Sequence, residues 1–301
     1  MTKDYLKLHL IVFIWGFTAI LGLLITIPAV ELVFYRTLFT FLALGLIMYF
    51  SNLSFNITKR QLFQVIGTGI LIALHWIMFF AAARLSTAAV ALAGMATCSF
   101  WTSLLEPLML KRKIRFYEVL LGLIMMGGLY IVFRFEFSNA LGLLVAVGSA
   151  MLSSLFTVIN ARLVQSVNHY VLTFYEMVGA WIGTIIFFPI YLLWFSDFST
   201  LQFNITGMDF LYLLILSVVC TVFTFSTSVE LMKRLTAFAV NLAINLEPVY
   251  GIVLAYLIFG ESERMSSGFY WGTMIILGAV LLYPILNRYY HKRFLRTEPI
   301  R

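Results

Sequence analysis

Apolar residues run along this chain in long, nearly unbroken stretches, with polar residues gathered in short intervals between them. Ten such stretches fall at about 8–27, 31–50, 62–82, 88–109, 117–133, 139–160, 170–194, 209–231, 237–259 and 269–287. Each approaches the roughly 20 residues with which a helix spans a bilayer. Barrel strands would alternate polar and apolar positions, and these stretches do not. The pattern predicts an all-α polytopic membrane protein with ten transmembrane helices. The intervals are short, the longest around Asp197 to Asp209, so no soluble domain is expected. The first stretch is too long for a signal-peptide core and lacks a small-x-small cleavage site, so it is expected to remain as a span.

A second pattern lies over the first. Phe34-Tyr35-Arg36 echoes Phe174-Tyr175-Glu176 at an offset of 140, and Phe17-Thr18-x-Ile20 echoes Phe156-Thr157-x-Ile159 at 139. From Arg84 to Gly128 the chain aligns without gaps to Arg234–Gly278 at an offset of 150, with Arg84, Leu85, Ala89, Val90, Leu92, Ala93, Leu104, Gly122 and Gly128 recurring identically. The chain thus divides into halves 1–137 and 138–301, each with five predicted spans. An odd number of crossings per repeat forces the halves into opposite orientations, the architecture of alternating access around a midplane site.

Composition agrees: 62% of the 301 residues are hydrophobic and only 11% charged. The net charge of +7 is explained by position. With the N-terminus inside, sixteen Lys and Arg fall in inner loops and ends, including Lys111, Arg112, Lys113, Arg115, Arg296 and Arg301. Three (Arg84, Arg134, Arg264) fall outside, and Arg36 lies in a span. This bias predicts both termini inside, a basic cytoplasmic tail and contact with membrane lipid, with no nucleic-acid partner. Cys98 and Cys220 lie within spans and read as small core residues. No cofactor or metal is expected.

Several segments resemble the drug/metabolite transporter superfamily, and within it the EamA-type ten-helix permeases. Trp15-Gly16 resembles the first-helix signature of that family. Leu257-Ile258-Phe259-Gly260-Glu261 resembles its repeat-ending element, followed by the Gly272 and Gly278 helix. Leu74-His75-Trp76 with Phe79 and Phe80 resembles a third-helix variant of members that export amino acids. The first repeat departs from the pattern, with Lys111 where the second has Glu261. Leu105-Glu106-Pro107 and Leu246-Glu247-Pro248 share a spelling but not a register position, since Glu247 matches Thr97.

An ionised group at mid-bilayer costs about 2.5–3.5 kcal/mol on insertion scales, so intramembrane polar residues mark candidate chemistry. Glu247 lies near the middle of the ninth span. Asn241, Asn245 and Pro248 share one helical face there, and Pro248 frees the carbonyl of residue 244. Glu247 reads as a ligand for a substrate amine or as a proton acceptor, and alternatively as a structural ion-pair member. His75 lies mid-span with Phe79 one turn on, either facing a cavity or bonded across a helix interface. Trp15 and Trp76 are candidate cavity aromatics, with Trp101 and Trp181 further possibilities. Arg36 and its repeat mate Glu176 lie near opposite surfaces; Glu31 is the expected partner of Arg36, and Arg162 of Glu176, as gates or as ordinary ion pairs. Ser153, Ser154 and Asn160 read as helix-contact groups, with a place in the cavity wall the alternative for the two serines. The recurring glycines read as intra-chain helix contacts, with monomer and homodimer both open.

Together these features predict a secondary active transporter, an exporter of small metabolites such as amino acids, with His75, Trp76, Phe79, Trp15, Asn241, Asn245 and Glu247 around a central cavity and possible proton coupling. A flippase for a lipid-linked small molecule is the alternative. An intramembrane enzyme would want a Gly-x-Ser-x-Gly or His-Glu-x-x-His motif, and neither occurs. A passive channel would want a charged ring or continuous polar stripe, also lacking.

Overall fold

The structure is a computed structural model that describes residues 2–111, 115–135, 137–196 and 198–294. Arg112, Lys113, Asp197 and the basic tail residues Arg296 and Arg301 lie outside the described residues.

Among the described residues the chain is all helix and turn. Eight helical segments are long and apolar enough to cross a membrane: Lys3–Leu24, Ala29–Phe50, Lys59–Leu85, Ala88–Leu110, Ala140–Leu163, His169–Trp194, Gly207–Leu231 and Ala237–Ser262. They coincide with eight predicted stretches and make this a multi-pass membrane protein. The remaining two, about 117–133 and 269–287, lie in helices whose apolar portions are shorter, Phe116–Val132 and Ser267–Tyr283.

Four spans are not single continuous α-helices. The first is split at Gly16 and Phe17 into α1 (Thr2–Trp15) and α2 (Thr18–Leu24). Next come α3 (Ala29–Phe50) and the unbroken α4 (Lys59–Leu85), which opens on a Thr58–Gln61 capping box. Another break, at Ala96 and Thr97, separates α5 (Ala88–Met95) from α6 (Cys98–Leu110). Then follow α7 (Phe116–Phe135), α8 (Ala140–Leu163) and α9 (His169–Trp194). A nine-residue π segment, Ile215–Phe223, joins α10 (Gly207–Leu214) to α11 (Thr224–Leu231). The last break, at Asn245 and Leu246, divides α12 (Ala237–Ile244) from α13 (Glu247–Phe259), and α14 (Ser267–Phe294) ends the described chain.

The breaks after α5 and α12 fall within one residue of each other when the repeat offset of 150 is applied. Pro248 directly follows the second of these breaks. It sits in the first turn of α13, where its missing N–H costs nothing. Because the helix stops, Asn241, Asn245 and Pro248 do not share one face.

Side-chain contacts gather the connections at two ends. At one end, Asp4 meets Arg234 (2.9 Å), Tyr175 Oη donates to Phe55 O (3.1 Å), and Gln61 Nε2 donates to Ser166 Oγ (3.3 Å). At the other, the Asp209 carboxylate accepts from Thr26 N (2.7 Å) and Thr206 N (2.9 Å), and Tyr35 Oη donates to Phe203 O (2.9 Å). There too, one nitrogen of Arg84 donates to the carbonyls of Gly22, Ile25 and Ile27 at 2.7–3.0 Å, a cation closing the C-terminus of α2.

α7 and α14 pack as a pair. Tyr117 touches Tyr283, and the Gly128 and Gly272 backbones meet. Partner numbers fall along α14 as they rise along α7, so the two run antiparallel. Gly128 and Gly272 thus serve contact within the chain and Gly122 faces Phe100, whereas a Cβ on Gly278 would meet nothing within 4 Å.

Candidate functional site

A cavity of about 70 Å³ lies in the middle of the bundle and extends toward the Asp4–Arg234 end, where Ser228 and Met232 line it. This volume holds a few water molecules. Five of the seven predicted cavity residues line it: Trp15, His75, Trp76, Phe79 and Glu247. Thr18, Ser153, Phe156, Thr157 and Phe225 join them. Thr18 and Thr157 are the paired threonines of the two repeats, so that echo marks positions facing one space.

Arg36 also lines this cavity, which its sequence depth did not reveal. A long side chain carries its charge well away from its own backbone position. Its guanidinium carbon sits 3.8 Å over the Trp76 ring, and Nε donates to Thr221 Oγ1 at 3.0 Å. The π segment makes that bond possible. Thr221 Oγ1 donates to Leu216 O five residues back (2.8 Å), and the Cys220 carbonyl accepts from Trp15 Nε1 (3.2 Å). π turns recur at functional sites because they re-aim such groups. The expected Arg36–Glu31 pair does not form. Glu31 accepts instead from the Gln202 backbone N–H (2.9 Å), fastening the loop after α9.

Glu247 opens α13, its carboxylate at the positive end of a half-helix with the Thr18 hydroxyl beside it. Among the described residues the ion pairs lie elsewhere: Arg115–Glu118, Arg234 with Asp4 and Glu230, and Arg264–Glu261. The cavity thus holds one guanidinium and one carboxylate, neither neutralised by an ion pair.

His75 is fixed by Ser149. Its Nδ1 lies 3.0 Å from the Ser149 carbonyl and 2.7 Å from Ser149 Oγ, and that hydroxyl donates to His75 O (2.8 Å). A carbonyl only accepts, so the bond to Ser149 O places a proton on Nδ1 and leaves Nε2 directed away from Ser149.

Two predicted cavity residues are not in the wall. Asn241 Nδ2 donates to Thr102 Oγ1 (2.7 Å) and Asn245 Nδ2 to Ser99 Oγ (2.6 Å), both fully buried. They hold α12 to α6, because the break turns α12 toward that neighbour. Glu106 belongs to the same joint: its carboxylate accepts from Phe238 N at 2.9 Å, at the start of α12. Glu106-Pro107 and Glu247-Pro248 therefore have unrelated roles. Arg162 is exposed on a cleft between α4, α6 and α8, whereas Glu176 is fully buried, so these two do not pair. Gly260 ends α13 at φ +62°, a turn that favours glycine, and Glu261 beyond it meets exposed Arg264 at 3.1 Å, outside the cavity.

Broken helices packed around a central polar cavity define a membrane-transporter architecture. The EamA-like transporter family model matches residues 3–134 and 140–285, so the chain belongs to that family, within the drug/metabolite transporter superfamily. Membership places it among transporters and not enzymes. No curated protein matches. One solved structure, titled only "Crystal structure of protein", is similar at a TM-score of 0.68 and 17% identity, covering 95% of this chain and 99% of its own. That likeness concerns the fold alone.

Proposed function

We propose that this protein is a secondary active exporter of small zwitterionic metabolites such as amino acids, working by alternating access between two inverted five-helix halves. The observation that carries this reading is the cavity shared by Arg36 and Glu247. Arg36, held flat on Trp76, offers its two terminal nitrogens to a substrate carboxylate. Glu247 takes the ammonium group, and His75 Nε2 accepts a further hydrogen bond. Trp15, Phe79, Phe156 and Phe225 accommodate the apolar part.

Three features support ten crossings arranged as inverted halves, 1–137 and 138–301. Equivalent helices α7 and α14 run antiparallel. The breaks after α5 and α12 lie within one residue of the same register. Equivalent residues also clasp opposite ends: Tyr35 and Phe34 hold Phe203, while Tyr175 and Phe174 hold Phe55. The excess of Lys and Arg in the loops of the Asp4–Arg234 end argues for both termini inside.

The test is transport of a labelled amino-acid panel in proteoliposomes, with and without a pH gradient. Glu247→Gln and Arg36→Gln should each abolish or strongly weaken transport of whichever compound moves. Unchanged affinity in both variants sinks the zwitterion assignment. The cleft of about 630 Å³ lined by Arg60, Gln64, Met109, Ile159 and Arg162 favours, as a second reading, a flippase for an anionic amphiphile. Movement of a fluorescent lipid-linked sugar across the vesicle bilayer, with no amino-acid flux, would establish it instead.

A further inference from the structure

Glu176 lies about 10 Å along α9 from its first residue, His169. It is fully buried, and neither carboxyl oxygen has a hydrogen-bond partner. The Asn160 amide of α8 lies against the carboxyl without closing a hydrogen bond, and its own Nδ2 and Oδ1 are unpartnered. Thr173, three residues before Glu176 on the same helical face, is fully buried with its hydroxyl also unpartnered. Three polar side chains thus stand together in the apolar interior, satisfied by nothing.

The surroundings are tight. A Cβ on Gly69 of α4 would overlap the Glu176 carbonyl oxygen, so α4 presses against α9 at this level. Charged and titratable groups on the helices packed against α9 are Glu31, Tyr35, Arg36 and Tyr49 on α3, Lys59, Arg60, His75 and Arg84 on α4 and Glu230 on α11; α8, which brings Asn160, carries Arg162, and α9 itself carries His169, Tyr170, Tyr175 and Tyr191. None of them is within ion-pair distance of Glu176.

We propose that Glu176, with Asn160 and Thr173, is a proton-binding site separate from the substrate cavity, and that it couples transport to the proton gradient. The second half of this statement rests on the transport reading above; the first does not. A bare carboxylate with no partner is strongly disfavoured in such a place, whereas the neutral acid fits it. A proton bonds to one carboxyl oxygen and no other bond breaks. The acid O–H then faces Asn160 Oδ1, and Asn160 Nδ2–H faces the second oxygen, so donors and acceptors match. A second link leads to the cavity: Thr157, which lines it, lies one turn before Asn160 on α8. Loss of the proton leaves two acceptors facing an amide with donors on one side only, which favours a rearrangement of α8 against α9. Arg36 occupies the equivalent position of the first repeat, so the two halves place a fixed cation and an exchangeable proton at corresponding sites.

The test is pH-difference infrared spectroscopy of the full-length protein in lipid vesicles. The wild type should show the carbonyl band of a buried protonated carboxylic acid that fades as pH rises. Glu176→Gln should lose that band, while Glu247→Gln keeps the Glu176 component. Asn160→Ala, which leaves the carboxyl in place, should keep the band but shift its midpoint. A band that persists in Glu176→Gln overturns the proton site, and an unshifted midpoint in Asn160→Ala overturns the acid–amide pairing. In vesicles, Glu176→Gln should still let the transported amino acid run down its own gradient but lose pH-driven accumulation. Retained accumulation overturns the coupling role, whereas absence of any amino-acid transport in the wild type would count against the substrate reading alone.

Discussion

Alanine at Gly128 and at its neighbour Gly127 should have opposite effects, and the contrast measures the α7–α14 crossing directly. A Cβ on Gly128 would lie 2.7 Å from Gly272 O and 2.9 Å from Ile276 Cγ1. Ordinary contact begins at 3.4 Å, a shortfall of 0.7 Å (3.4 − 2.7), and the nearest obstruction is backbone. It cannot swing aside, so α14 must move as a body. Overpacking of this kind costs about 1–3 kcal/mol. A Cβ on Gly127 meets nothing within 4 Å. Both substitutions share the helix-propensity gain of about 1 kcal/mol for Gly→Ala, so their difference isolates the contact. Gly127→Ala should be neutral or stabilising, and Gly128→Ala about 1–3 kcal/mol less stable than Gly127→Ala. Gly272→Ala, whose Cβ would lie 2.6 Å from Gly128 O, should match Gly128→Ala. The double variant should cost less than the two singles together, because one separation of the helices accommodates both methyls. Unfolding of the purified protein in mild detergent, titrated with denaturing detergent, reads these differences. Equal destabilisation at 127 and 128, or full additivity of 128 with 272, would refute the antiparallel glycine crossing.

Other expectations follow from the site and the two ends. Arg36→Lys keeps the charge but loses the planar fork and the stacked face, so amino-acid affinity should drop roughly 10–100-fold, about 1.4–2.8 kcal/mol; unchanged binding by scintillation proximity would remove Arg36 from the substrate site. Asn245→Ala removes the amide that donates to Ser99 and should destabilise by about 0.5–1.5 kcal/mol, yet leave substrate affinity intact, and a selective loss of affinity in the same assay would contradict its assignment to the α12–α6 joint. Tyr35→Phe and Tyr175→Phe each delete one clasp worth about 0.5–1.5 kcal/mol. They should bias the protein toward opening at opposite ends, read as cysteine labelling from opposite faces of the membrane; labelling enhanced at the same face in both would falsify the clasp symmetry.

The membrane character of this chain was legible from the hydrophobic pattern alone, because a span needs only enough consecutive apolar residues and that property is local. Family membership was legible too, through Trp15-Gly16 and Leu257 to Glu261, since those residues carry local backbone demands. The echo between the halves of the sequence was visible in a few residues, and two of them, Tyr35 and Tyr175, each bond to the loop beyond the other's helix. His75, Trp76, Phe79, Trp15 and Glu247, which line the cavity, were picked out by asking which polar and aromatic residues sit at mid-depth, and depth is a one-dimensional quantity. What sequence could not supply was direction around each helix axis and the points at which helices stop. The break at Asn245 turned Asn241 and Asn245 toward α6, although their spacing on an unbroken helix put them beside Pro248. The π segment brought Thr221 to Arg36, so a residue counted as near a surface serves the central cavity. The pairings of Arg36 with Glu31 and Arg162 with Glu176 failed because nearness in sequence or depth does not place two side chains on facing surfaces. Those facts depend on how the helices pack against one another, and only the tertiary structure decided them.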